Sequence, residues 1–327
     1  MKSIINCSTL FRFSIVAMSV MIAASSFAQD DSSAQAAETP RVLKVKPVKN
    51  TFESAWIIDN QTVMVPVKKT FEMDIQHRFG TIEKGYQDFW GFFAPSNIRL
   101  GFSYAPVDKL NLGLGITKSN MLWDASAKYS LVKQTKGQYP VSVTYYGSVA
   151  FDTRKDGENT AFSALFSKSK ITNGEGIFTY STDRFLFFNQ LIIARKITDK
   201  FSLQVAPSVS HQNSVNGFYK QVDSATRIVA GEMKNDHIAV SVGARYKLTN
   251  VTSVIVNYDQ PITKHTTNNP NPNISFGFEF STGSHAFQVF AGNYSLLNQA
   301  RNNLYNHNNY ADGKFLIGFN ITRLWNY

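Results

Sequence analysis

The sequence has almost no cysteine, little charge and, beyond residue 28, no long apolar run. Its one cysteine, Cys7, lies ahead of the first apolar stretch. A lipoprotein signal needs the cysteine after that stretch, so lipidation is not expected, and the rest of the chain has neither a disulfide framework nor thiol chemistry. Charged residues make up 17% of the chain, against roughly 25% in a typical soluble protein. Nothing past residue 28 approaches the ~18 apolar residues of a spanning helix, and a mean hydropathy of −0.19 argues against a helical membrane protein. What is plentiful is aromatic: 26 Phe and 14 Tyr. In lipid, only helices and closed barrels satisfy their own backbone hydrogen bonds, so these absences point to a barrel. The formal net charge is +10. No basic patch is interleaved with aromatics, so nucleic acid is not an expected partner.

The N-terminus reads as a targeting segment. Lys2 and Arg12 give a positive region, Phe13 to Ala24 an apolar one, and Ser26-Phe27-Ala28 a small-x-small cleavage site. Residues 1–28 are therefore expected to be a secretory signal peptide. Residues 29–69 are expected to be a partly disordered periplasmic lead-in, with a basic patch of Arg41, Lys44, Lys46 and Lys49. Residues 70–327 carry the barrel.

From Phe71 the pattern has period two, which in a strand sends successive side chains to opposite faces. Phe71, Met73, Ile75 and Phe79 alternate with Glu72, Asp74, Gln76 and Arg78. Leu110, Leu112, Leu114 and Ile116 alternate with Asn111, Gly113, Gly115 and Thr117. Similar runs recur to Phe315, Ile317, Phe319 and Ile321, and predict about twelve strands. The facing of the sixth, Arg184 to Ile197, stays open because Phe185 to Phe188 is apolar on both faces. The polar faces favour Gly, Ser, Asn and Thr, which suit a crowded or wet lumen better than a soluble sheet's outer face.

The connections alternate between short and long, with Lys118–Leu122 as the exception, as outer-membrane barrels alternate periplasmic turns with external loops. Aromatics gather at strand ends: Tyr104, Tyr129, Tyr246, Phe280 and Phe201 beside short turns, Trp123, Phe151, Tyr258, Phe79 and Phe315 beside long loops. These are the two girdles of a membrane interface. The expected fold is all-β, a transmembrane antiparallel up-and-down barrel of the outer membrane. Its expected partners are outer-membrane lipid and, through the final strand with Trp325 and Tyr327, the outer-membrane assembly machinery during insertion.

Several residue strings occur in a fixed order: Gln76-His77-Arg78-Phe79-Gly80, Arg195-Lys196 before an Asp turn, PSVSHQN from Pro207 to Asn213, GARYK from Gly243 to Lys247, Ser275-Phe276-Gly277, Gly283-Ser284-His285-Ala286-Phe287, and Gly318 to Arg323. Together they resemble a domain-of-unknown-function family of outer-membrane β-barrels from Bacteroidota, over Phe52 to Trp325. Ser284 and Ala286 depart from the glycine and larger apolar residue expected there. The resemblance implies a barrel and no particular activity.

Catalysis finds little support. The histidines are His77, His211, His237, His265, His285 and His307. His211 with Ser210 or Ser214 is the nearest approach to the serine–histidine pair of an outer-membrane phospholipase. Adjacent strand residues point to opposite faces, however, and a nucleophile needs contact with its base and a third orienting group. No enzyme activity, metal or cofactor is expected, since His265 and His307 lie in Asn-rich loops without ligands at metal spacing. Asn268, Asn269, Asn271, Asn302, Asn303, Asn308 and Asn309 would suit sugars or ordinary loop hydrogen bonding.

The candidate site is the set of charges on the polar faces: Glu72, Asp74, Arg78, Arg99, Asp124, Lys128, Arg245, Lys247 and Glu279. If the apolar faces meet lipid, these point inward, either as a selectivity ring or as paired charges filling the interior. Both signs are present, which favours filling. The expected function is a small-solute channel or binding and transport barrel. The alternatives are a surface scaffold or adhesion barrel with a protein partner at its long loops and, last, an outer-membrane lipid hydrolase.

Overall fold

Twelve strands close on themselves in a computed structural model that describes residues 46–154, 171–174, 180–215, 217–223, 226–266 and 269–327. The signal segment and the lead-in as far as residue 45 lie outside the described residues. Two short strands come first, β1 (Trp56–Ile57) and β2 (Asn60–Gln61). The wall begins with β3 (Thr70–Thr81), β4 (Asn97–Val107), β5 (Leu110–Thr117), β6 (Leu122–Val132) and β7 (Ser142–Asp152). After β8 (Ile171–Gly174) it continues with β9 (Phe185–Lys196) and β10 (Phe201–Gln212). After β11 (Gly217–Gln221) and β12 (Arg227–Glu232) come β13 (Asp236–Lys247), β14 (Thr252–Pro261), β15 (Asn273–Ser281), β16 (His285–Gly292) and β17 (Leu316–Asn326). All neighbouring wall strands pair antiparallel, and β17 pairs with β3 to close the ring. Closure leaves the wall without an edge strand, which removes the cost of unpaired backbone groups in lipid.

The alternation is inside out by the standard of a soluble protein. On β3 the polar members are buried, Gln76 at 1% and Arg78 at 0% exposure, while the apolar members between them are partly exposed. Outward residues include Leu114, 64% exposed, and Trp123, 62% exposed. An apolar belt of that extent is stable only against lipid. Among the described residues no helix is long and apolar enough to cross a membrane, and the strands do the crossing.

The ambiguous sixth wall strand resolves as β9 with Leu186, Phe188, Gln190, Ile192 and Ala194 inward. Phe188 meets Tyr146 of β7, ring centroids 6.2 Å apart, in an apolar patch inside the barrel. Two segments expected to be loops carry strands instead. β8, β11 and β12 form a separate three-stranded sheet in the order β12-β11-β8, built from the connections after β7 and after β10.

The largest departure concerns the lead-in. Residues 51–63 are not a periplasmic tail: all but Glu53 have buried side chains or backbone, and the segment runs inside the barrel. It enters at the short-turn end, the periplasmic end of such barrels, where Val48 N donates to Gln134 O at 2.7 Å beside the β6–β7 turn. It returns beside the β4–β5 turn, where Lys69 N donates to Ala105 O at 2.7 Å. Between these points β1 and β2 pair as a hairpin with Ile58 and Asp59 at its tip. Ile58 has φ 58°, a left-handed conformation that costs a β-branched residue about 1–3 kcal/mol. The wall fixes it there: Ile58 N donates to Gln288 Oε1 at 3.1 Å, and Asn320 Nδ2 donates to Ile58 O at 2.7 Å.

Candidate functional site

The lumen is a filled polar chamber, and strand register decides where each charge falls. Asp74 sits opposite Gly101, Gly115 opposite Asp124, and Arg99 between them on β4. A Cβ on Gly101 would lie 2.4 Å from Asp74 Oδ1, and one on Gly115 would lie 2.2 Å from Arg99 Nη2. The two glycines thus leave the space through which Arg99 reaches both carboxylates. Arg99 Nη1 donates to Asp74 Oδ2 at 2.9 Å, Nη2 to Asp124 Oδ1 at 2.7 Å, and Nε to Asp124 Oδ2 at 3.1 Å. The hairpin completes the group: the Arg99 guanidinium lies 5.3 Å from the Trp56 ring centroid, in range of a cation–π contact.

The hairpin is tied to the wall on all sides by polar bonds. At its tip Asp59 pairs with Arg78 and accepts from Asn302 Nδ2 at 2.9 Å. Asn60 Nδ2 donates to Asp259 Oδ1 at 2.6 Å and to Asn257 Oδ1 at 3.0 Å. The Lys128 ammonium donates to Gln61 Oε1 at 2.7 Å and to the carbonyls of Ala55 and Thr62 at 3.3 Å each. Lower down, Ser54 Oγ donates to Glu279 Oε2 at 2.9 Å, and Arg245 donates to Glu279 Oε1 at 3.0 Å while lying 3.5 Å from Glu53.

The barrel is filled from its outer end too. The connection after β16 folds inward and carries a short helix, α1 (Gln299–Tyr305), with Asn302, Asn303 and Leu304 buried. Asn302 joins this segment to the hairpin through Asp59, and Asn303 accepts from Asn273 Nδ2 at 3.0 Å. Of the two readings open for Asn302 and Asn303, sugar contact or ordinary hydrogen bonding, the structure shows hydrogen bonding, with their amides engaged inside the lumen. Asn268 lies outside the described residues.

Eight of the nine expected inward charges, Glu72, Asp74, Arg78, Arg99, Asp124, Lys128, Arg245 and Glu279, are buried in the lumen; Lys247 is partly exposed at the short-turn rim. Sequence reasoning missed Asp59 and Asp259. The rim pair Asp152–Arg154 aside, the buried charges among the described residues are six carboxylates (Asp59, Glu72, Asp74, Asp124, Asp259, Glu279) and four cations (Arg78, Arg99, Lys128, Arg245). The lumen is acidic within a basic chain. Between Trp56, Gln61, Glu72, Arg99 and Lys128 the free volume is about 20 Å³, room for about one water.

Ser210 is buried on the lumen side, and the neighbouring His211 lies at the rim with Nδ1 2.8 Å from Asp236 Oδ1. The serine and histidine do not meet. The fold does bring His237 and His265 together, ring centroids 5.1 Å apart, a pairing that strand and loop spacing could not reveal. Among the described residues no three His, Cys, Asp or Glu side chains form a metal-binding group.

Comparison with known proteins places this geometry. No curated protein matches the chain. Among solved structures, a NanC porin is 8% identical with a TM-score of 0.45, covering 79% of this chain and 99% of its own. A KdgM porin is 9% identical at 0.40, covering 78% and 99%. The COG4313 outer membrane channel from Pseudomonas putida F1 is 10% identical at 0.37, covering 80% and 97%. The model of the family described as Membrane bound beta barrel domain (DUF5777) matches residues 52–325, a span that takes in the hairpin as well as the wall. The inside-out strands, the closed ring and that match make the chain an outer-membrane barrel, and it belongs to the family of membrane-bound β-barrel domains DUF5777.

Proposed function

We propose that the protein is a small-solute channel of the outer membrane, held shut by its own N-terminal hairpin and cation-preferring when open. The observation that carries this reading is the way residues 51–63 are seated. Their contacts with the wall combine hydrogen bonds and ion pairs with an apolar cluster in which Phe52, Ile57, Ile58 and Val63 are buried among inward residues of the wall. Water can replace the polar contacts one for one as the segment withdraws, so each contributes a modest net amount, about 0.5–1.5 kcal/mol for an ordinary hydrogen bond. A wholly apolar filling would resist withdrawal far more. Asp59 leaves with the hairpin, so five buried carboxylates and four buried cations remain on the wall, and that excess would raise the local concentration of cations.

The residue strings shared with a Bacteroidota family support that origin. The separation of Ser210 from His211 supports a non-enzymatic role. The test is the reversal potential of the purified, refolded barrel lacking residues 51–63, in a planar bilayer across a potassium chloride gradient. The expected current favours potassium, and Glu72→Gln with Asp74→Asn moves the reversal potential toward chloride. A chloride-selective current from that opened barrel, or a reversal potential unmoved by the two substitutions, would contradict the reading.

A further inference from the structure

A cleft between the hairpin and the wall opens at the short-turn end, with a volume of about 270 Å³. Its lining includes Glu53, Ser54 and Met64 from the hairpin segment and Glu72, Thr322 and Leu324 from β3 and β17. Glu72 is 2% exposed, and its Oε2 has no hydrogen-bond partner among the described residues. The cations nearby direct their hydrogen bonds elsewhere, although Lys128 and Arg99 attract Glu72 through space. Arg245 is held by Glu279 and Glu53, and the ammonium of Lys128 has its three protons directed at neutral oxygens of the hairpin. Glu72 is thus a buried carboxylate lining a cavity, with no donor to Oε2 and its charge offset only through space, a costly placement that a cation in the cleft would relieve.

We propose that this cleft is a binding site for a small aliphatic ammonium compound, with Glu72 as the anion that receives the ammonium. The hydroxyls of Ser54 and Thr322 provide further polar contacts, and Met64 and Leu324 a short apolar wall for methylene groups. Because the cleft is shared between hairpin and wall, an occupant holds the two together. The bound solute therefore stabilises the shut state, a role that rests on the channel reading above, whereas the site itself does not.

The experiment is isothermal titration of the refolded full barrel in detergent with 1,4-diaminobutane, using butane-1,4-diol as the uncharged counterpart. The diamine is expected to bind the native protein, and the diol to bind far more weakly. Glu72→Gln is expected to weaken diamine binding roughly ten- to a hundredfold, the range for losing a hydrogen bond to a charged group. Met64→Trp, which fills the cleft and leaves the carboxylate in place, is expected to abolish it, and heat-modifiable gel mobility reports the folding of both variants. Equal binding of diamine and diol, no binding of the diamine, or unchanged binding in folded Glu72→Gln would overturn the proposal. Diamine binding to the full barrel with no current through the variant lacking residues 51–63 would sink the channel reading and leave the site standing; current through that variant without diamine binding to the full barrel would do the reverse.

Discussion

A variant lacking residues 51–63 is expected to conduct stable unitary currents in a planar bilayer under conditions where the full-length barrel is shut. The wall does not need the hairpin to form, because its twelve strands pair in a closed ring that contains neither β1 nor β2. Asn50 and Met64 line the same cleft, and a short Gly/Ser linker between them spares the connection. What leaves is the segment that limits the free space beside Arg99 and Lys128 to about 20 Å³. The outer filling loosens as well, because Asn302 loses its acceptor, Asp59. Arg78 and Lys128, deprived of Asp59 and Gln61, are then hydrated by water entering the lumen rather than stranded. A folded deletion variant that stays silent would mean that the connection after β16 closes the barrel unaided.

The second large effect concerns stability. Arg99→Leu is expected to destabilise the folded barrel by about 3–5 kcal/mol, because it leaves Asp74 and Asp124 buried without a counter-charge. Asp74→Asn and Asp124→Asn added to Arg99→Leu are expected to restore most of the loss, since no charge is then stranded. Arg99→Lys is expected to fall between, as an ammonium cannot reproduce the three fork-shaped contacts of the guanidinium. Urea unfolding of the micelle-embedded barrel, followed by heat-modifiable mobility, measures all of these. A loss below about 1 kcal/mol for Arg99→Leu, the value of an exposed pair, would show that water already solvates the trio.

Why the wall was readable and the hairpin was not follows from what surrounds each residue. On β5, Leu110 to Thr117 alternates because one face meets lipid and the other the lumen, and the pattern marks the strand's own limits. Residues 51–63 meet the barrel's inner surface on every side, so Trp56, Ile57 and Ile58 follow one another, then Asp59, Asn60, Gln61 and Thr62, with no period to detect. Asn302 and Asn303 were hidden for a related reason. An asparagine amide is satisfied equally by water or by a lumen lined with carboxylates and other amides, so composition alone does not distinguish a surface loop from a buried one. The inward charges were visible on the strands, but their partners were not, because Arg78 meets Asp59 and Lys128 meets Gln61 only once the chain has turned back into its own barrel. β8, β11 and β12 were missed because they pair only with one another, apart from the wall.

The most direct test of the central claim, that the N-terminal segment sits inside the barrel, is the reactivity of a single introduced cysteine toward a membrane-impermeant maleimide. Expression from residue 29 removes Cys7, the only cysteine of the sequence, so the introduced thiol is unique. Thr62→Cys is nearly isosteric at a position with 0% exposure, and Lys46→Cys provides an exposed reference on the same segment. In the folded barrel Lys46→Cys should label rapidly, and Thr62→Cys should resist labelling until urea unfolds the protein. Equal labelling of the two in the folded barrel would place the segment outside the lumen and contradict the account.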